Sequence, residues 1–248
     1  MPLAAIYDIH SNLPALEAVL DDIRRAEVDR IIVGGDVLPG PMPRETMQCL
    51  LDLEIPVHFI QGNGDREVLA RMRGVETGGV PEKFRGVIDW TAQQLPPEYE
   101  QLLDGWPSTL RLEIDGLGAV LFCHATPRND TEIFSRLTPE ENLLPVFAGV
   151  TASVVVCGHT HMPFDRSVGG IRLLNAGSVG MPFGQPGADW LLLGPGVQFR
   201  HTSYELARAA ERVRSTAYPQ AEDFAVNSIL HPPFEKDMLA AFSRVELR

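Results

Sequence analysis

Cysteine is scarce: Cys49, Cys123 and Cys157 are the only three in 248 residues, and no pair has the close spacing of a zinc knuckle. With an odd count and no disulfide framework, a reducing compartment is expected. Cys123 and Cys157 each close an apolar run and read as small buried hydrophobes. Positive charge is also short. The chain has 21 Lys and Arg against 33 Asp and Glu, a net charge of −12, which excludes a broad basic footprint for nucleic acid or an anionic membrane. No apolar run approaches the roughly 20 residues of a membrane span. There is no basic-then-apolar leader, and a strand already begins at Leu3, so the expected location is cytoplasmic. Repeats and low-complexity segments are absent too.

What is present suits a globular enzyme-sized unit. Hydrophobic residues make up 44% and charged residues 22%, enough for a continuous core under an ordinary surface. The length fits one α/β domain over residues 1–248, with a homo-oligomer left open as a contact of the C-terminal tail. Leu3 to Tyr7 reads as a buried strand. Leu13, Leu16, Val19, Leu20 and Ile23 then recur at helical spacing behind Ser11 or Asn12 as N-cap and Pro14 in the first turn. Strands at Ile31 to Val33 and Val57 to Ile60 enclose a helix from about Arg44 to Leu53. Such alternation indicates a largely parallel sheet with functional groups beyond the strand C-termini.

Residues 66–107 hold few β-branched residues and the turn signals Gly78-Gly79-Val80-Pro81 and Leu95-Pro96-Pro97, so a small helical cap is expected there. Asp115-Gly116-Leu117-Gly118 joins a hairpin of Thr109 to Ile114 and Ala119 to Phe122. Thr138-Pro139-Glu140-Glu141 reads as a capping box opening a helix to about Phe147. Further strands are expected at Ser153 to Val156, Ile171 to Leu174 and Trp190 to Leu193, and the tail over 203–248 is helical in pattern, broken by Pro219 and Pro232-Pro233.

Five polar motifs punctuate this frame, each just after a predicted strand. They are Asp8-Ile9-His10, Gly35-Asp36, Gly62-Asn63-Gly64-Asp65, Cys123-His124 and Gly158-His159-Thr160-His161. Singly, each has a plainer reading: a helix-capping turn, a tight turn at Asp36, an Asn-Gly hairpin, a hydrogen-bonded core histidine. Alternate histidines at a strand end, however, project poorly into a core. Taken in order, the five bring carboxylates, an amide oxygen and imidazoles to one sheet edge, which is how a site for two divalent metals is built. Asp36, at a strand end, can bridge with its two oxygens. Asn12 reads as the helix cap or as a phosphate contact, and Arg66 as a phosphate clamp or a surface charge.

The order and type of these motifs resemble the calcineurin-like metallophosphoesterase superfamily, in its small bacterial phosphodiesterase and phosphatase branch. The resemblance implies a four-layer sandwich, two mixed sheets between helical layers. It implies one metal held by Asp8, His10, Asp36 and His161 and a second by Asp36, Asn63, His124 and His159, with Asp36, Asn63 and His124 cast as catalytic residues. Manganese is the first choice, with iron, zinc, nickel or magnesium as alternatives. The implied activity is hydrolysis of a small phosphodiester or phosphoanhydride by a metal-bound hydroxide. The alternatives are a phosphomonoesterase or a non-catalytic scaffold of this fold. One departure stands out. Many members carry a His after the ligating Asn as general acid, and here that position is Gly64, with Asp65 left nothing to orient. Leaving groups that depart unprotonated are therefore expected, and Gly64→His is expected to restore a proton donor.

Overall fold

Leu3, Ala5 and Tyr7 face one way from the first strand and Ala4 and Ile6 face the other, and both sets are buried. A strand buried on both faces needs a layer on each side. The computed structural model, which describes residues 2–75 and 80–247, supplies those layers. The first sheet contains β1 (Leu3–Ile6), β2 (Arg30–Val33), β3 (Val57–Phe59), β9 (Ala188–Leu193) and β10 (Val197–Thr202), in the order β10-β9-β1-β2-β3. The second contains β4 (Thr109–Ile114), β5 (Gly118–Cys123), β6 (Val154–Cys157), β7 (Phe164–Val168) and β8 (Ile171–Asn175), in the order β4-β5-β6-β8-β7. β1, β2 and β3 run parallel, as do β5, β6 and β8, and the outer strands pair antiparallel. Both sheets are therefore mixed.

The sheets meet face to face through Leu3, Ala5, Tyr7 and Ile32 of one and Val120, Phe122, Val154 and Val156 of the other. On the outer face of the first sheet lie α1 (Leu13–Arg25), α2 (Pro43–Leu51), α3 (Asn63–Met72), α4 (Glu82–Gln94) and α5 (Tyr99–Asp104). Val68, Leu69, Ile88, Tyr99 and Leu103 share one apolar cluster with Ala4, Ile6 and Ile31, so the segment read as a cap extends this helical layer. The turn read at Gly78-Gly79 lies outside the described residues. On the far side, α6 (Glu140–Phe147) packs Leu143, Val146 and Phe147 against Val155 and Leu173. The tail forms α7 (Leu206–Arg214), α8 (Ala221–Phe224), a π-helical stretch (Ala225–Leu230) and α9 (Glu235–Phe242). Among the described residues no helix is long and apolar enough to cross a membrane.

Two strands had no counterpart in the sequence reading, and both are sheet edges. β7 reads Phe-Asp-Arg-Ser-Val and β10 reads Val-Gln-Phe-Arg-His-Thr, with most side chains at least partly exposed. Charged, polar edge strands suppress pairing with other chains, and they lose the apolar signature by the same means. The capping box at Thr138 does not form: its hydroxyl accepts from Ser135 N at 2.9 Å and donates to Glu246 at 2.8 Å.

Tyr7 locks the two sheets together. Its ring is fully buried and its hydroxyl donates to the Val156 carbonyl at 3.1 Å. The ring occupies the space beside Gly34, where a Cβ would stand 1.9 Å from a ring carbon. Gly34→Ala should therefore destabilise the protein by about 1–3 kcal/mol, the usual range for overpacking, lowering the melting temperature by roughly 2–12 °C for a chain of this size. An unchanged melt would mean that the Tyr7 ring moves aside freely.

Candidate metal centre

The parallel strands β1, β2, β3, β5 and β6 deliver their C-terminal loops to one edge, where backbone hydrogen bonds stitch the loops together. Asp8 N donates to Gly35 O at 3.1 Å, His10 N to Asp36 O at 2.9 Å, and Gly158 N to His124 O at 2.8 Å. Asp8, His10, Asp36, His159 and His161 all take positive φ, between 47° and 66°. For residues with a Cβ each such conformation costs about 1 kcal/mol or more. At the β1 and β6 ends this left-handed turn swings two alternate residues, Asp8 with His10 and His159 with His161, into the same site.

All seven residues singled out by the motifs come together. Asp8, His10 and His161 form one group of converging ligand atoms and Asp36, His124 and His159 another, with atoms in each group within 4.8 Å of one another. His161 Nε2 lies 3.3 Å from Asp8 Oδ1 and 3.2 Å from His10 Nε2. Asp36 Oδ2 stands between the groups, 3.8 Å from His10 Nε2 and 3.6 Å from His124 Nε2. Its other oxygen accepts from Gly64 N at 2.7 Å. Asp36 therefore faces both groups through one oxygen, not through two as its position at a strand end suggested.

The donor set fits cations. His124 Nδ1 is hydrogen-bonded to the Gly34 carbonyl at 3.0 Å and His161 Nδ1 to the Met181 carbonyl at 2.8 Å. These bonds place the proton on Nδ1 and leave the Nε2 lone pairs facing inward. Backbone groups of Pro39 and Thr131 likewise hold His10, whose Nε2 faces inward, and His159, whose inward atom is Nδ1. Asn63 Oδ1 lies 3.1 Å from His124 Nε2, 3.0 Å from His159 Nδ1 and 3.1 Å from the Asp130 carbonyl. A turned amide or a cation would satisfy those lone pairs equally. Asp8 Oδ1 separates the two cases: it is buried and accepts no hydrogen bond, while its partner Oδ2 accepts from His159 N at 2.8 Å. An orphaned carboxylate oxygen ringed by imidazole nitrogens matches a metal position.

Electrostatics separates the two carboxylates. Burial by itself would raise Asp8, but His161, His124 and His10 around it hold it well below the usual carboxylate range. Asp36 goes the other way, raised by burial and by the charge of Asp8. Burial, aided by neighbouring imidazoles, pushes His10 and His159 down to about 3, so both stay neutral and available as ligands. For His161 burial works in the same direction, yet the adjacent Asp8 raises it.

Three further residues take defined places around the centre. Asn12 caps α1, its Oδ1 accepting from Ala15 N at 3.3 Å, and its amide nitrogen donates to the Gly180 carbonyl at 2.9 Å. Both ends are committed, so Asn12 does not reach for substrate. The Arg66 guanidinium pairs with both oxygens of Asp130, at 2.7 and 3.2 Å, and with Glu67 at 2.8 Å. It lines, with His124, Thr126 and Arg128, a cavity of about 240 Å³ beside the second ligand group. Asp65 does have work to do. Its carboxylate accepts from Asp36 N at 2.8 Å, Leu38 N at 3.0 Å and Gly62 N at 3.0 Å, bracing the Asp36 loop against the start of α3. Burial and Asp36 push it up to about 8 despite these bonds.

Gly64 sits at the second position of α3, outside the left-handed region, and a Cβ there would stand 2.3 Å from the Leu38 carbonyl oxygen. The expectation that Gly64→His restores a proton donor is thereby corrected: the crossing Leu38-Pro39 backbone leaves no room for the side chain. Gly64→His should lower stability and weaken metal binding while gaining nothing on alkyl phosphomonoesters. A gain there, with an unchanged melt, would show that the loop yields. The histidines give a second test. Below pH 6.5 an unfolded chain protonates His10 and His159 while the folded one holds both neutral to about pH 3. Stability of the chelator-stripped protein is therefore lost as pH falls through 6.5. In His10→Asn that loss should be shallower by up to about 1.4 kcal/mol per pH unit. Parallel stability curves for the two proteins would contradict a neutral His10.

The model of the calcineurin-like phosphoesterase superfamily domain matches residues 1–193. The uncharacterized protein MJ0912 of Methanocaldococcus jannaschii is 34% identical over 179 residues, covering 71% of this chain and 69% of that protein. Among solved structures, a metallophosphoesterase from Sphaerobacter thermophilus superposes with a TM-score of 0.69 at 28% identity, covering 91% of this chain and 97% of that one. The hypothetical protein PH1004 from Pyrococcus horikoshii gives 0.80 at 20% identity, covering 94% of this chain and 99% of its own, a likeness of fold. With the ligand motifs, the two mixed sheets and these matches in agreement, the chain belongs to the calcineurin-like phosphoesterase superfamily.

Proposed function

We propose that this protein hydrolyses phosphodiesters or phosphoanhydrides of small, nucleotide-like substrates with the aid of two divalent cations. One observation carries the reading: two candidate ligand triads converge at one sheet edge with the Asp36 carboxylate between them. Asp8, His10, Asp36 and His161 would hold one ion, and Asp36, Asn63, His124 and His159 the other. When bound, such a pair neutralises phosphoryl oxygens and acidifies a water. Oxygen and imidazole donors suit manganese first, with iron, zinc, nickel and magnesium as alternatives.

The chain's own residues then decide the scope of the reaction. Asp8 and Asp36 contribute negative charge, and the neutral His10 and His159 add none, so net positive charge remains for a phosphate. Asp65 holds the Asp36 loop in place through three amide hydrogen bonds. Arg66, held by Asp130, lines the adjoining cavity and would meet substrate oxygens once Asp130 releases it. No acid stands at Gly64, and none fits there. A missing general acid typically costs about 10²–10⁴-fold for a basic leaving group and little for an acidic one. That favours nucleotide, pyrophosphate-like and aryl leaving groups over the alkyl phosphomonoesters of the alternative, phosphatase reading.

The experiment is a turnover series with Mn²⁺-loaded protein on aryl phosphodiesters of graded leaving-group pKa, with dinucleoside polyphosphates and phosphopeptides alongside. The rate should fall steeply as the leaving group becomes more basic, phosphopeptides should be poor, and Asp36→Asn should lose activity and at least one metal. A flat dependence with chemistry rate-limiting would reveal another acid. An inactive protein holding both metals would favour a binding module.

A further inference from the structure

His161 has support that leads out of the site. Its Nδ1 donates to the Met181 carbonyl, and Phe183 lies nearly flat on its ring, with centroids 5.4 Å apart and planes 22° from parallel. Phe183 is met in turn by Phe242, with centroids 6.1 Å apart at 59°. Phe242 is the last residue of α9, far along the chain from every ligand motif. The reaction proposed above makes no use of it.

The segment that carries Phe242 is tied down on both sides of this stack. At its start the Pro233 carbonyl accepts from Gly184 N at 2.9 Å, and Glu235 pairs with Arg136. At its end Glu246 accepts from Thr138 at 2.8 Å, Leu247 N donates to the Ile133 carbonyl at 2.8 Å, and the Leu247 side chain packs on the core outside the second sheet. The π-helical stretch just before it belongs to the cluster over α1 and α4. Residues 231–247 thus run as a strap from the helices outside one sheet to the helix outside the other, across the loop that orients His161. In α9 only Leu239 is buried. The helix itself therefore adds little to the core.

We propose that this strap is a positioning element for the metal centre: through Phe242 it holds Phe183 against His161, and so sets the affinity of the ion bound by Asp8, His10 and His161. The inference rests on the metal-centre reading above. A hydrogen bond at Nδ1 leaves an imidazole free to rock about that bond. A flat ring on its face removes this freedom and keeps Nε2 aimed between Asp8 Oδ1 and His10 Nε2. Groups that orient a ligating histidine from outside typically govern about 10–100-fold in metal affinity. Phe183 belongs in that range. Phe242, acting through it, should govern about 10-fold, the lower end.

The test is calorimetric titration of chelator-stripped protein with Mn²⁺, for the unaltered chain, F242A, F242L, F183A, F183A/F242A and E235Q, with melts of each protein without metal. Two binding steps are expected. F242A should weaken one of them about 10-fold and spare the other, with F242L between. F183A should weaken the same step further. The double variant should match F183A alone, because two residues acting in series are not additive. E235Q, which loosens the strap without touching a ring, should weaken that step slightly. Additive effects would overturn the relay. Unchanged affinities with a lowered metal-free melt would make Phe242 a packing residue only. If the unaltered protein binds no divalent ion, the metal-centre reading itself falls, a result distinct from either.

Discussion

Two carboxylates, Asp8 and Asp36, are buried within reach of the same imidazoles, and the rest of the structure answers to that constraint. Buried like charges are tolerated only when opposite charge or well-placed donors accompany them. Asp8 is met by three histidines and one backbone amide, and Asp36 by one amide and by Asp65, which braces its loop. Burial and the charge of Asp8 raise Asp36, while the imidazoles around Asp8 outweigh its burial and lower it, so the two carboxylates are pushed in opposite directions. A divalent ion would let both ionise.

That arrangement is held by a scaffold stiff enough to store strain. Five of the ligand candidates occupy left-handed backbone, each at a cost the loops could not bear alone. The compensation comes from the inner strands, whose side chains are buried on both faces, and from backbone bonds that join the loops of the two sheets. Tyr7 illustrates the economy of space: one residue before Asp8, it fills the gap beside Gly34, two residues before Asp36. A shift of one sheet against the other would move both carboxylates.

The Gly64 position shows how a familiar site changes its chemistry through backbone spacing. The Leu38-Pro39 segment crosses so close to the start of α3 that only glycine fits, and Asp65 is turned from a side-chain partner into a brace for three backbone amides. The loss of an acid and the gain of a brace come from the same close approach.

The sequence by itself determined the family, through its ligand motifs, and the inner architecture. Strands buried on both faces are apolar enough to be read in one dimension, and the seven ligand candidates sit at their ends, where parallel topology must gather them. Short-range hydrogen bonding also made the Asn12 cap legible. Tertiary structure alone decided which oxygen of Asp36 faces both groups, that Asp65 braces backbone amides, and that Gly64 admits no side chain. It alone revealed the edge strands β7 and β10, whose polar faces carry no apolar period, and the stack of Phe183 and Phe242 on His161. Those outcomes depend on contacts between residues far apart in the chain, and on backbone amides and carbonyls that every residue carries alike. A local pattern of side chains records neither.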